Sequence, residues 1–419
     1  MNLARLTPLE TLMLTASLAL CRTGSSMADV PGPLPADSNV VFDVVDMLTY
    51  DDNIFRLPAP NIPGVAHAPP GSSNSDEFNT AGVGMTGNWI FGLQSVLAKI
   101  NGAENTFVKN TVLNNTSGMA KLEWDWTLTT VLNGQVGVDY ARYLANFADS
   151  DFYGRDMIDD VDYYAGGIWD LGPHWRVKLN VRGESATHTA TVREADDYEN
   201  LSGAIGTEYA LSPFDDIGLE YKYVHTNFRQ GENIDGVFSN RNYDDDTIVF
   251  YFKHVLTGAS TLEAGVGYID HSYTSGVNGP GTGTNFSGDI WHVTVNYQPD
   301  VQIGLRFKAW RDLRTYVDAE SDYFVSRDLS IGPVWSPLER LTVSLDASRE
   351  WQSFVGENLV IGSLPQRRAV LTTAKAKIEY KLRRRLEIDA GYNYEKRVSD
   401  EADESYKDNL AYISVRYSF

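Results

Sequence analysis

The segment Ala411-Tyr-Ile-Ser-Val-Arg-Tyr-Ser-Phe419 sorts its residues into two sets at alternate positions. Successive side chains of a β-strand point to opposite faces, so alternate positions share a face. One face here is apolar and ends in two aromatic residues: it consists of Ala411, Ile413, Val415, Tyr417 and Phe419. The opposite face carries hydroxyl groups and an arginine. The segment is therefore predicted to be a strand with two unlike faces.

The same period of two dominates the chain from about residue 39 onward, whereas helical periodicity is hardly visible. A chain built from such segments is predicted to be all-β. A soluble sandwich also alternates, so the pattern alone does not place the apolar faces against lipid. The clearest further examples are residues 122–129, 175–182, 301–308, 341–348, 374–381 and 386–393.

Short and long connections alternate between these segments. Short turns are predicted near residues 92–94, 132–134, 171–173, 211–213, 257–258, 298–300, 336–337 and 383–384. Longer polar segments lie around 51–78, 111–118, 148–160, 185–199, 229–246, 274–286, 317–322, 354–367 and 398–408. Tight turns at one rim and longer loops at the other are typical of bacterial membrane barrels, whose strand number is even. We therefore predict a transmembrane antiparallel up-and-down β-barrel over residues 39–419, with about 18 strands; about 16 is an alternative because residues 94–118 are the least regular.

Composition excludes several classes of protein. Apolar residues make up 42% of the 419 residues, which argues against intrinsic disorder. A formal net charge of -21 opposes nucleic-acid binding, which needs a basic face. The mean hydropathy of -0.29 disfavours a bundle of transmembrane helices but suits a barrel, whose alternating strands average to near-neutral hydropathy. Cys21 is the only cysteine, which leaves no basis for disulfide scaffolds, thiol catalysis or Cys-based zinc sites.

The first residues have the features of a secretory leader. Arg5 precedes an apolar stretch over residues 12–20, and Ser26-Met27-Ala28 offers small residues where a signal peptidase cuts. We predict a signal peptide over residues 1–28 and a short periplasmic segment over 29–38, before a barrel that starts at 39. The alternatives are a disordered amino terminus and, less favoured, lipid attachment at Cys21.

The terminal strand resembles the carboxyl-terminal strand that the barrel-assembly machinery recognises, with Tyr417 and Phe419 as the assembly signal. An ordinary amphipathic strand is the alternative for this segment alone. Together with the leader and the alternating loops, the resemblance predicts a bacterial outer-membrane protein surrounded by membrane lipid and lipopolysaccharide. Aromatic residues at predicted strand ends would form the interfacial girdles: Tyr140, Trp175, Tyr221, Tyr297, Tyr380 and Tyr394.

If the apolar face meets lipid, the polar face lines a lumen wide enough for an aqueous channel. Basic residues cluster on three predicted strands, whereas residues 120–130 and 385–395 are acidic. A stripe of one sign would favour anionic solutes or acidic sugars. Pairing of these charges across neighbouring strands is an equally weighted alternative. The candidate lumen-lining residues are Arg176, Lys178, Arg182, Lys222, Arg306, Lys308, Lys375, Lys377, Lys381 and, as a stacking platform, Trp310.

The acidic residues concentrate in predicted outer loops, at 149–162, 194–199, 244–246 and 400–408. A solvated rim is the favoured interpretation; divalent cations shared with lipopolysaccharide phosphates are the alternative. Catalytic motifs are absent from the sequence, and the histidines form no metal-binding pattern. We predict no enzyme, metal or cofactor, although His188, His225 and His271 near strand ends leave a site assembled from loops open.

The segment Tyr50-Asp-Asp-Asn-Ile-Phe-Arg-Leu-Pro58 resembles the EpsL-like family of proteobacterial outer-membrane proteins encoded in exopolysaccharide operons. Trp124-x-Trp126 followed by Leu132-Asn-Gly134, and Gln94 after a short turn, are similar to that family as well. The resemblance implies a barrel that helps a polysaccharide cross the outer membrane, with periplasmic or inner-membrane export components as partners. The segment itself is predicted to fold into the lumen as a partial plug, with Arg56 as a candidate sugar contact.

The function predicted from the sequence is a channel that passes exopolysaccharide through a polar lumen without bond making. A general or solute-selective porin is the alternative. A structural or adhesin-like barrel is less favoured because the loops are mostly short.

Overall fold

The computed structural model describes residues 39–58, 71–148, 152–230, 232–234, 237–239, 242–274, 285–315, 323–355, 367–401 and 404–419. The predicted leader and the segment 29–38 lie outside these residues. The strands are β1 (Asn39–Asp51), β2 (Asp76–Phe91), β3 (Gln94–Phe107), β4 (Asn115–Thr129), β5 (Leu132–Leu144), β6 (Met157–Leu171), β7 (Trp175–His188), β8 (Tyr198–Ser212), β9 (Asp215–Phe228), β10 (Glu232–Ile234), β11 (Val237–Ser239), β12 (Tyr243–Thr257), β13 (Ser260–Tyr273), β14 (Phe286–Tyr297), β15 (Ile303–Thr315), β16 (Tyr323–Leu338), β17 (Leu341–Val355), β18 (Arg368–Arg383), β19 (Leu386–Ser399) and β20 (Tyr406–Ser418). Two short 3-10 helices cover Thr111–Leu113 and Thr191–Asp196.

The long strands form one closed barrel. They make an 18-stranded antiparallel sheet in which β1 pairs with both β2 and β20, so the sheet has no free edge. The short strands β10 and β11 form a separate hairpin. The prediction of about 18 strands is confirmed, and the alternative of 16 is wrong. Phe42 and Phe419 exchange backbone hydrogen bonds of 3.0 and 2.8 Å and stack their rings, which closes the lower end of the seam between β1 and β20.

Short and long connections alternate as predicted. The turn between β2 and β3 is two residues long, whereas the next connection, from β3 to β4, covers residues 108–114. Gly92 and Gly172 occupy short turns with positive φ angles of 65 and 84°, a conformation that glycine adopts without strain. Both termini of the barrel lie at the rim of the short turns, here called the lower rim, and the long connections lie at the upper rim.

Two predicted turns are displaced: residues 336–337 lie within β16, and the turn follows at 339–340. Leu132-Asn-Gly134 was expected to be a turn, but it begins β5, and the turn falls at residues 130–131. A Cβ atom at Gly134 would lie 2.1 Å from the carbonyl oxygen of Gly166 and 2.4 Å from the Trp126 ring. This glycine therefore makes room for an indole between strands, and cross-strand packing outweighs the local turn preference of Asn-Gly.

The apolar faces point outward. Large hydrophobic side chains such as Val83 (62%), Leu179 (55%) and Ile205 (53%) remain exposed on the outer wall. The buried hydrophobic clusters are small and involve residues near the upper rim. A sandwich would bury these faces in a central core, so the outer wall instead suits contact with lipid.

The upper ends of β15 and β16 depart from the regular wall. The ladder between β14 and β15 ends at Trp291 and Arg311. Leu313 and Val325, which alternation places on the outer face, pack against the inward residues Phe286 and Ile290. The two strand ends therefore bend behind β14 toward the lumen.

Replacing Phe419 by Ala should loosen the seam, because the ring stacked on Phe42 is lost; aromatic pairs contribute roughly 0.5–1.5 kcal/mol beyond their buried area. The temperature at which the barrel loses its compact migration in detergent gels should fall. Phe214→Ala, an exposed aromatic in the turn between β8 and β9, is the matched control. Equal effects of the two variants would contradict the proposed closure.

Candidate functional site: the channel lumen

The segment that follows β1 folds back into the upper lumen. Phe55 is 1% exposed and lies in one cluster with Ile54, Leu57 and the inward residues Phe78 and Phe107 of β2 and β3. The predicted partial plug is thus observed over the described residues of this segment, 52–58. We refer to these residues as the plug segment.

Arg56 ties the plug segment to the wall. Its guanidinium lies 3.1 Å from Asp51, 3.0 Å from Asp408 and 3.7 Å from Glu395. Burial alone would lower the pKa of Arg56, but the carboxylates of Asp51, Asp408 and Glu395 outweigh it and raise the pKa above its ordinary value. The residue has a positive φ of 55°, which is uncommon outside glycine. Its donors are directed at the carboxylates of the protein itself, and a sugar contact of Arg56 stays a prediction.

Backbone and side-chain hydrogen bonds hold the rest of the plug segment. Asn53 donates from Nδ2 to the carbonyl of Leu57 (2.8 Å) and to the carbonyl of Lys407 (2.9 Å). Asp52 accepts from the backbone N–H of Asn409 (2.7 Å) and from its Nδ2 (2.6 Å). The Asp-Asn pair of Tyr50–Pro58 therefore fastens the upper end of the seam between β1 and β20.

The connection between β5 and β6 reaches inward as well. The ring of Phe147 lies 5.1 Å and that of Tyr153 lies 5.8 Å from the ring of Phe55. Arg397 of β19 donates to the carbonyl of Ala148 at 3.3 Å. The described parts of this connection cover the plug segment and narrow the upper lumen.

The basic residues of β7 are neutralised by neighbouring strands. Arg182 pairs with Asp162 of β6 (Nε–Oδ1 2.7 Å), and Lys178 pairs with Glu208 of β8 (2.7 Å). Arg176 contacts Glu208 too and lies 3.0 Å from Asp170. On β7 the structure therefore shows the alternative considered from the sequence, in which charges pair across neighbouring strands.

The remaining candidates fall into two groups. Lys377 pairs with Glu379 (2.8 Å), and Arg306 lies 3.4 Å from Asp346. Trp310 lies on the inward register of β15, partly buried. Among the described residues, four inward lysines form no ion pair: Lys222, Lys308, Lys375 and Lys381. The candidates thus line separate sectors of the wall, on β7, β9, β15 and β18, and do not converge on one point.

Sequence reasoning did not bring the inward tyrosines together with their carboxylate partners. Lys121 donates to the Tyr164 hydroxyl (2.9 Å) and pairs with Glu123 (2.9 Å), and Tyr164 also bonds to Glu123. The hydroxyl of Tyr251 donates to Glu208 at 3.2 Å. Parity showed that these side chains point inward, but only the strand register shows that they meet.

The lumen wall is not basic overall. Within the described residues, several inward carboxylates have no cationic partner: Asp43, Asp125, Glu184, Asp216, Asp328 and Asp389. The positive charge expected to favour anions is thus neutralised by ion pairs, and the unpaired carboxylates add negative charge to the lumen wall. The expectation of a basic stripe on β7 is wrong, because its cations face carboxylates on both neighbouring strands.

Two groups of carboxylates have oxygen atoms within 4.8 Å of one another: Asp51, Asp52 and Asp408, and Glu379, Glu387 and Asp389. The first group already holds the guanidinium of Arg56, and Lys377 pairs with Glu379 in the second. Side-chain cations thus supply the positive charge at both places.

The three histidines near strand ends lie apart. His188, His225 and His271 are on β7, β9 and β13. Each bonds to an aspartate at 3.1, 2.7 and 2.6 Å respectively. The hydrogen bonds of the described residues join none of these rings to a serine or threonine hydroxyl, which is the pair a hydrolase site requires.

A closed barrel with an apolar outer wall and a polar inner wall defines a membrane-spanning β-barrel of the porin class. The model of a family described as "Putative beta-barrel porin 2" matches residues 184–419, and the chain belongs to that family. It is an outer-membrane β-barrel with a porin-like channel. Among the described residues, no helix has the length and apolar character that a membrane span requires.

Solved structures with a similar architecture include three from Pseudomonas aeruginosa. OpdL is 9% identical, with 92% of this chain and 99% of that chain covered and a TM-score of 0.45. OpdK is 9% identical, with 91% and 99% covered and a TM-score of 0.47. The siderophore receptor PirA is 10% identical, with 92% and 81% covered and a TM-score of 0.44. Among curated proteins, none matches the chain in sequence.

Replacing Arg56 by Met should release the plug segment, because three carboxylates lose their shared cation; breaking a buried ion pair costs about 3–5 kcal/mol. Single-channel conductance in planar bilayers should rise, and the barrel should unfold at lower temperature. Arg229→Met, which removes an exposed ion pair with Glu199, is the control. Unchanged conductance would show that the plug segment does not depend on Arg56.

Replacing Glu208 by Gln should leave Arg176 and Lys178 without their shared carboxylate. The reversal potential in a salt gradient should shift in the direction that indicates greater anion permeability, because charged side chains in the lumen set ion selectivity. Glu199→Gln on the outer face of the same strand is the matched control and should leave the potential unchanged. A wild-type potential in Glu208→Gln would mean that ions do not pass this part of the wall.

Proposed function

We propose that this porin-like barrel passes neutral, hydroxyl-rich solutes, and that its cargo is an exopolysaccharide. The observation that carries the proposal is the pairing of inward cations with carboxylates on adjacent strands, as at Arg182 with Asp162. Paired charges present hydrogen-bond donors and acceptors side by side with little net field. Such a wall suits sugar hydroxyls, which act as both donor and acceptor.

Aromatic rings beside these pairs support the same cargo. Lys121 lies 5.4 Å from the ring centre of Tyr164, and Lys178 lies 5.5 Å from that of Tyr251. An aromatic face with polar groups at its edge packs against the apolar face of a sugar ring while its neighbours bond the hydroxyls. Many weak contacts of this kind allow a chain to bind and to leave.

An acidic polymer fits this wall less well. Unpaired carboxylates such as Asp125 and Asp216 face the lumen. A polyanion would have to pass them without a continuous basic track to offset the repulsion. The proposal therefore names a neutral polymer, in place of the acidic sugars that the basic strands suggested.

The resemblance of Tyr50–Pro58 to the EpsL-like family supports export of a polymer. The second candidate is a general or solute-selective porin, favoured by the plug segment, because a narrowed upper lumen suits small solutes. In either case the proposed mechanism is passage by shape and hydrogen bonding, without bond making. Export components in the periplasm or inner membrane, and the assembly machinery acting on Tyr417 and Phe419, are partners that the proposal includes.

Deletion of the gene separates the two candidates. Loss of extracellular polysaccharide, restored by the wild-type gene, is the expected result, with uptake of small sugars as the parallel measurement. Unchanged polysaccharide together with reduced uptake would reject export and favour the porin.

A further inference from the structure

The outer wall of β15–β20 carries cationic side chains and, among its described outward positions, no carboxylate. Each cation shares the parity of exposed apolar residues on its own strand, for example Arg349 with Leu345 and Lys407 with Ile413. We refer to the set as the basic arc. It consists of Arg311, Arg327, Arg349, Arg368, Lys396 and Lys407.

The strand register places like charges opposite one another in the basic arc. Arg311 of β15 lies directly opposite Arg327 of β16, and Lys396 of β19 lies opposite Lys407 of β20. Like charges in these positions destabilise a sheet. An anion bound between them would turn this repulsion into attraction.

The cations of the basic arc form few ion pairs with carboxylates of the protein. Among the described residues, Arg311 alone of the basic arc forms an ion pair, at 3.0 Å with Asp289. Arg349 instead lies over the ring of Trp351 (5.4 Å) and Lys407 over that of Tyr394 (5.7 Å). The lumen arginine Arg182, in contrast, pairs with Asp162.

The rest of the outer wall has the opposite sign. Its outward cations Arg142 and Arg229 each pair with a carboxylate. The outward carboxylates of β1–β14 are Asp46, Glu77, Glu104, Asp159, Glu199, Asp215, Asp244, Asp246, Asp270 and Asp289. The basic arc is therefore a segregated sector of the wall and not part of an even mixture.

The height of the basic arc matches a headgroup layer. Below Lys407, the outward side chains of β20 down to Phe419 are uncharged. At about 3.3 Å per residue and a tilt of about 40°, this stretch rises roughly 30 Å, close to the thickness of the hydrocarbon core. Arg327 lies at a similar distance from the lower end of its strand, which ends at Leu338, and long arginine side chains extend toward the interface. The long connections at this rim place it outside the cell.

We propose that the basic arc binds the phosphate groups of an anionic glycolipid in the outer leaflet. Guanidinium groups bind phosphate through paired hydrogen bonds. The exposed apolar residues beneath, such as Ile331, Leu345 and Ile378, would contact the acyl chains. This inference is independent of the solute that passes the lumen.

The test uses the purified full barrel in a zwitterionic detergent, titrated with lipid A and followed by native mass spectrometry. Replacing Arg327, Arg349, Arg368 and Lys396 by Gln should weaken binding by about a hundredfold or more. The matched control replaces four lumen lysines, Lys222, Lys308, Lys375 and Lys381, by Gln and should bind as the wild type. Dephosphorylated lipid A should bind weakly to all three proteins.

A milder variant guards against misfolding. Arg327→Gln with Lys396→Gln removes one member of each opposed pair, so it should weaken lipid A binding and also raise the unfolding temperature of the lipid-free barrel. A purely structural role would lower that temperature. Unchanged lipid A binding in both arc variants would overturn the proposal. If the variants also lose self-association while lipid A binding stays unchanged, the basic arc is instead a contact between copies of the protein. Binding of millimolar inorganic phosphate without any binding of lipid A would also overturn it, by making the basic arc a site for free phosphate.

Discussion

The barrel can span a membrane only because its sheet closes between β1 and β20. In a lipid environment every backbone donor and acceptor must be satisfied within the protein, and a sheet achieves this only without an edge. The pairing runs from Asp43 with Ser418 to Asp51 with Leu410. The plug segment fastens the top of this seam through Asn53 and Arg56, so closing the barrel and narrowing its lumen use the same residues.

Closure also dictates where charge is tolerated. Each strand must present one face to lipid, so most charged side chains collect inside or near the upper rim; Asp46 on the outer face of β1 is an exception. Inside, cations such as Arg182 meet carboxylates on the next strand. The formal charge of -21 is therefore not confined to loops, since unpaired acids such as Asp125 also line the wall.

The strand number and the face of most side chains could be predicted from the sequence, because both follow from the period of two and from connection length. Inward parity correctly placed Arg176 and Lys178, but not their partner Glu208, because pairing depends on register between strands. The prediction of a turn at Gly134 was wrong because the indole ring of Trp126, on β4, occupies the space beside this glycine. The inward bend at Leu313 could not be predicted from the local sequence, because it depends on the packing of Leu313 against Phe286 and Ile290 of β14.

We propose that the lumen is a paired, hydrogen-bonding wall that favours neutral sugars over anions. Swelling of liposomes that contain the purified barrel measures this most directly, with a neutral disaccharide compared to a uronic-acid disaccharide of the same size. We expect faster entry of the neutral sugar at low salt, with a smaller difference at high salt, because salt screens the unpaired carboxylates. Faster entry of the acidic sugar would contradict it.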